Sequence, residues 1–224
     1  GKRPWATVEE QTLEYAAPIV GAIDTSEVAI MNSLSANLHL LMVSFYVPKG
    51  DRKKIIMENG AFCSDNHIVR SQLAFHNCSL DSDLVLLAPR EGESVLRTED
   101  IIATIEECGD QLALVLLPGV QFYTGQFFDI EPITAAGHKV GAKVGWDLAH
   151  ATGNVPLQLH NWQVDFAVWC HYKYCNSGPG AVGGAFVHKK HHNVPSCTEY
   201  IDPLDDQDAQ RIAKLSEYSG EKFK

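Results

Sequence analysis

Leu112-Ala113-Leu114-Val115-Leu116-Leu117 is an apolar run without a polar break. A strand with one wet face alternates apolar and polar residues, so an unbroken run of this length points to a strand buried on both faces, as in a parallel sheet covered by helices. Working outward from it, β-rich runs recur at 54–57, 84–87, 143–146, 164–169 and 181–187. Helical patterns fit between them at 35–45, 66–76, 98–108 and 131–140. This alternation predicts an α/β fold with a mostly parallel sheet. Arg97-Thr98-Glu99-Asp100 opens the third helix, with Thr98 as the expected N-cap and the acids suited to the helix dipole.

The 224 residues, 45% of them hydrophobic, suffice for one sizeable core. A formal net charge of −10 leaves no basic footprint for nucleic acid or an anionic membrane, so neither is an expected partner. No apolar run reaches the roughly eighteen residues of a membrane span. The first residues, Gly1-Lys2-Arg3-Pro4-Trp5, lack the apolar stretch of a signal peptide, and the expected location is the cytoplasm. Cys63, Cys78, Cys108, Cys170, Cys175 and Cys197 are scattered without a Cys-x-x-Cys pair, which predicts reduced, mostly buried thiols and no zinc site. Arg90, Glu91 and Glu93 read as a surface turn rather than an acid–base pair. His188, His191 and His192 read as a solvated loop, since no carboxylate or cysteine stands in register beside them. The domain is expected to occupy 1–193, followed by a polar acidic tail at 194–224 with one helix at 205–218.

Two strand ends carry the chemistry. Val144-Gly145-Trp146-Asp147-Leu148-Ala149-His150 is an apolar strand running into an acid and a histidine. In open α/β sheets ligands lie outside the carboxyl ends of the strands, so Asp147 is expected to face a ligand site. The next strand runs into Cys170-His171-Tyr172-Lys173-Tyr174, followed by the glycine-rich turn Ser177-Gly178-Pro179-Gly180, which allows close backbone approach. Alone, an Asp-x-x-His or a lysine beside aromatics is ordinarily structural. Together and in this order they are what pyridoxal phosphate requires: an acid to keep the pyridine nitrogen protonated and a lysine to form the imine and move protons.

These stretches, together with Met31-Asn32-Ser33-Leu34-Ser35-Ala36-Asn37-Leu38-His39-Leu40-Leu41, Pro89-Arg90-Glu91-Gly92-Glu93 and Gly119-Val120-Gln121-Phe122-Tyr123-Thr124-Gly125-Gln126, resemble the kynureninase family of fold-type-I pyridoxal-phosphate enzymes. The likeness covers about 1–193. It implies the large domain of an aspartate aminotransferase-like fold. It also implies Lys173 as the Schiff-base lysine, Asp147 as partner of the pyridine nitrogen, and His150 and Tyr172 as further cofactor contacts. Leu34 and Ser35 match the phosphate-binding turn at a helix start. Phe62, Cys63, Ser64 and Asp65 match the segment whose aromatic ring stacks on the pyridine. The activity implied is hydrolysis of L-kynurenine or 3-hydroxy-L-kynurenine to alanine and anthranilate or 3-hydroxyanthranilate, in tryptophan degradation and NAD biosynthesis, by a homodimer.

The chain also departs from the family pattern. Pro118 stands at a cofactor-binding position where Ser is usual, removing a hydroxyl and a backbone donor. Cys63 replaces a usual Pro, and Pro179 replaces a small residue. Members are roughly twice as long, and the substrate-binding His, Trp, Asn and Arg of the family have no counterpart here, so the chain is expected to be a truncated or divergent member that alone turns over kynurenine poorly. Two rivals remain at this stage. One is another class-V enzyme, an aminotransferase or cysteine desulfurase, which shares the Asp-x-Ala-His and Lys-then-Gly-Pro-x-Gly layout. The other is a non-catalytic paralogue acting as a binding or dimerising module.

Overall fold

A computed structural model describes residues 8–192. Helix α1 (Glu10–Val20) and the short strand β1 (Val28–Ile30) precede the alternating region. There follow α2 (Leu34–Phe45), β2 (Lys54–Glu58), α3 (Cys63–Phe75), the single turn α4 (Leu80–Asp83), β3 (Leu84–Leu87), α5 (Thr98–Cys108), β4 (Leu112–Pro118) and α6 (Ile130–Lys139). Strands β5 (Lys143–Asp147), β6 (Phe166–Cys170) and β7 (Gly183–Val187) complete a seven-stranded sheet in the order β1-β7-β6-β5-β4-β2-β3. The pairs from β6 to β3 are parallel, while β7 runs antiparallel to both β6 and β1. The expected tail helix at 205–218 lies outside the described residues.

The unbroken apolar run at β4 is explained by its surroundings. Leu112, Val115 and Leu117 enter one core with Ile101 and Ile105 of α5, Ile133 of α6 and Trp146 of β5. Leu114 and Leu116 enter a second core with Leu38 and Met42 of α2 and Val69 and Leu73 of α3. A strand between two dry layers has no position for a polar side chain. On α5 the residues at one helical face, Ile101, Ile105 and Cys108, are buried, while Glu99 and Asp100 stay in the first turn.

Thr98 is not the N-cap of α5. Arg97 holds that position without a side-chain cap, and Thr98 Oγ1 instead donates to Asp129 Oδ2 at 2.6 Å, tying α5 to the start of α6. The thiols are also less buried than expected: only Cys108 and Cys170 are buried, and Cys63 is exposed; all five described cysteines are free.

Gly145 in β5 has a packing reason to lack a side chain. A Cβ built there would lie 2.1 Å from Cζ of Phe166, a fully buried ring that stacks on Phe45 with centroids 4.8 Å apart. Gly145→Ala must displace that ring and should lower stability by about 1–3 kcal/mol or more. Chemical denaturation would measure it; a wild-type midpoint would mean that the Phe166 ring has room to move.

Candidate active site

The strand order reverses between β2 and β4, since the chain leaves β2 toward β3 at one edge and returns on the other side. The crevice at the carboxyl ends of such strands is where open α/β sheets bind ligands. Four of these ends meet at one cavity: Glu58 from β2, Pro118 from β4, Asp147 from β5, and Tyr172 with Lys173 just beyond β6. Leu34 and Ser35 at the start of α2, Phe62, Ser64 and Asp65 at the start of α3, and His150 complete the expected set. Cys63 alone among the expected residues does not line the cavity, because its exposed side chain points elsewhere from the first turn of α3.

Asp147 is buried, and its Oδ1 accepts from the amide of Ala149 at 2.7 Å, which fixes the carboxylate at the strand end. Pro118 is its register partner on β4. Lys173 Nζ lies 3.0 Å from His150 Nε2 and 5.6 Å from the centroid of Phe62. Burial and the Lys173 charge lower the His150 pKa against the opposing pull of Asp147, so His150 is neutral near pH 7 and able to accept from the lysine. His171, by contrast, faces away as a fastener: its Nε2 accepts from Trp169 Nε1 at 2.9 Å and its Nδ1 donates to Val182 O at 2.7 Å.

Three carboxyl groups share the cavity. Burial first, and then the charge and hydrogen bond of Asp147, push Asp65 up to about 9. Burial also pushes Glu58 up to about 7, with Asp147 adding to the rise and the Gln121 amide opposing it. The hydrogen bond to Cys170, then burial, raises the Tyr172 pKa, which keeps the phenol protonated. Glu58 was missed in the sequence although the rule that found Asp147 applies to it, an acid closing an apolar strand. Phe122, which also lines the cavity and meets Phe62 edge-on with centroids 5.2 Å apart, gave no signal beyond its family motif.

At the α2 end, Ser33 caps the helix by accepting from the amide of Ala36 at 3.3 Å. A Cβ on Gly183, the first residue of β7, would lie 3.1 Å from the amide nitrogen of Leu34 and 2.9 Å from Trp169 O. Only glycine lets β7 pass this close to the helix start, leaving an open cradle beside its amides.

The histidine cluster differs from expectation. His191 and His192 are at least partly exposed, but His188 is buried and stacks on His160 with centroids 4.5 Å apart and 17° between planes. The carboxylate missing from the local sequence is Glu27, whose Oε1 pairs with His160 Nδ1 at 2.8 Å and accepts from the Lys189 amide at 2.8 Å. Burial raises the pKa of Glu27, but these bonds and the Ile23 amide outweigh it and hold it below the usual range. Although the three side chains stand within metal-binding reach of one another, a metal must lie in the plane of each ligating ring, and two stacked, near-parallel rings share no such point. The cluster is a structural fastener between the β1 edge and the end of β7.

The chain belongs to the aminotransferase class-V family, whose model matches residues 30–199. Within that class the chain is similar to kynureninases. It is 57% identical to the kynureninase of Flavobacterium johnsoniae over 199 residues, 89% of this chain and 47% of that protein. Against the kynureninase of Nematostella vectensis it is 56% identical over 188 residues, 84% of this chain and 40% of that protein. The chain thus spans less than half the length of these curated relatives. Among solved structures, a mutant of the cystine C–S lyase C-DES with glycine covalently linked to its PLP cofactor shares the fold at a TM-score of 0.68 and 17% identity, covering 85% of this chain and 49% of that one.

Proposed function

We propose that residues 1–193 form the pyridoxal-phosphate-binding large domain of a kynureninase, which cleaves L-kynurenine or 3-hydroxy-L-kynurenine to alanine and anthranilate or 3-hydroxyanthranilate, as a cytoplasmic homodimer. The observation that carries this reading is the convergence of Lys173 and Asp147, from adjacent parallel strands, on one cavity. The kynureninase likeness supports the substrate class.

The residues present fit the cofactor. Lys173 would supply the amine that holds it, and Asp147, fixed by the Ala149 amide, would pair with a protonated ring nitrogen. Leu34 and Ser35 offer helix-start amides to its phosphate, with Gly183 keeping the cradle open. Phe62 offers a ring face, while His150 and Tyr172 line the side nearest the lysine. Pro118 closes the cavity floor without the donor a serine would add. When bound, the cofactor supplies an electron sink for charge developing at the substrate Cα. Lys173 would take the Cα proton of the substrate, and neutral His150, 3.0 Å from its amine, would orient it and accept a proton from it. The overall hydrolysis would consume one water for each alanine and anthranilate released.

The whole protein that carries these residues, loaded with pyridoxal phosphate and given L-kynurenine, should release alanine and anthranilate in equal amounts. Cofactor binding without alanine release would overturn the kynureninase reading in favour of another class-V activity or a binding role.

A further inference from the structure

We propose that Gln121 is a positioning residue of this site: lying behind the cavity wall, it fixes the rings of Phe62 and Phe122 relative to Lys173 without reaching the reacting atoms. The inference rests on the cofactor reading above. Gln121 is buried in the loop after β4, and both ends of its amide are engaged. Its Oε1 accepts from the amides of Tyr123 at 2.6 Å and Thr124 at 2.8 Å, the residues that follow Phe122. Its Nε2 donates to the carbonyl of Gly60 at 3.1 Å and to Glu58 Oε1 at 3.3 Å, on the segment that leads into Phe62. One side chain therefore stitches together the two segments that carry the facing rings.

The stitch matters at the tip of the loop. Val120 and Phe128 anchor its base in the core, and Gln121 pairs its backbone with Gln126 and Gly125. The tip itself has no buried side chain, with Tyr123 86% exposed and Phe122 42% exposed. The two rings meet at 84°, and the Phe62 centroid lies 5.6 Å from Lys173 Nζ. A planar cofactor inserted beside Lys173 would bear on a wall whose spacing the Gln121 amide sets. Only a group that accepts at one end and donates at the other can serve both segments. Glutamate in its ionised form keeps the accepting half and loses the donating half, which separates holding the loop from joining it to Gly60.

The test is titration of the protein with pyridoxal phosphate, read by the visible absorption and the visible circular dichroism of the bound cofactor, since the latter reports how the ring is held. Gln121→Ala should raise the cofactor dissociation constant about tenfold, the size of losing roughly one net hydrogen bond, and should reduce the dichroic band. Gln121→Glu should weaken binding nearly as much, because the loop stays tied but the link to Gly60 is gone. In a background carrying both Phe62→Ala and Phe122→Ala, Gln121→Ala should add less than about twofold, since both rings it positions are gone. Wild-type behaviour of Gln121→Glu, or a full additional loss in that background, would reduce Gln121 to local loop support and overturn the inference while leaving the cofactor reading standing. Absence of any bound-cofactor signal in the wild-type protein would overturn both.

Discussion

Lys173→Ala should remove the visible absorption of the bound cofactor entirely and lower kynurenine turnover by about 10⁴-fold or more, because one side chain supplies both the covalent attachment and the proton transfer. Its surroundings make the result readable. Lys173 stands at the rim of the cavity, with its amine against the imidazole of His150 and the face of Phe62. Truncation leaves His150, itself partly exposed, free to bond water, so no buried donor is orphaned and the fold should survive. Far-UV circular dichroism and the melting temperature of the cofactor-free protein should therefore match wild type. Lys173→Arg makes the sharper comparison: the positive charge beside His150 is kept, yet a guanidinium does not form the imine. A residual covalent band in either variant would show that another amine holds the cofactor and would displace Lys173 from its role.

The layered sheet was legible because its signal is local. An apolar strand such as Leu112–Pro118 between two cores has no polar position to blur its reading, and Asp147 and Lys173 stand out because each follows such a run. Other features depend on distant partners. Strand β1 has three residues and exists by pairing with β7, some 155 positions away in sequence, so neither its length nor its pattern announces it. Helix α1 contains Pro18 near its end and exposes much of its surface, which weakens the periodic signal. His188 follows β7 in a run that looks solvated, His188-Lys189-Lys190-His191-His192, and its burial comes from Glu27 and His160, which no local reading brings near. Gln121 is the most hidden of these: its residue type is ordinary, and its importance lies in where Gly60 and Phe122 come to rest. Glu58, in contrast, lay within reach of the rule used for Asp147.

Asp147→Asn should separate the stability of the cavity from its chemistry, with opposite signs. In the cofactor-free protein Asp147 shapes the titration of its neighbour, since burial first, and then the charge and hydrogen bond of Asp147, push Asp65 up to about 9. Between the ordinary carboxylate range and that value, the unfolded chain releases a proton from residue 65 that the folded chain retains, so stability falls as pH rises through the window. An uncharged amide at 147 removes the repulsive part of this shift. The cofactor-free variant should therefore lose less stability than wild type as pH rises toward 9, and the difference should vanish below the lowered folded-state value of Asp65, where that residue is protonated in both folded proteins. Function should move the other way. The carboxylate that favours a protonated pyridine nitrogen is lost, and a neutral ring is a poor electron sink, so covalent attachment to Lys173 remains possible while turnover falls by about 10³-fold or more. Denaturation curves at several pH values, paired with steady-state kinetics, would read both effects. If the variant kept wild-type turnover, Asp147 would not be the partner of the ring nitrogen; if its cofactor-free form lost as much stability as wild type between neutral pH and pH 9, the crowding of Asp65 by Asp147 would be refuted independently of the chemistry.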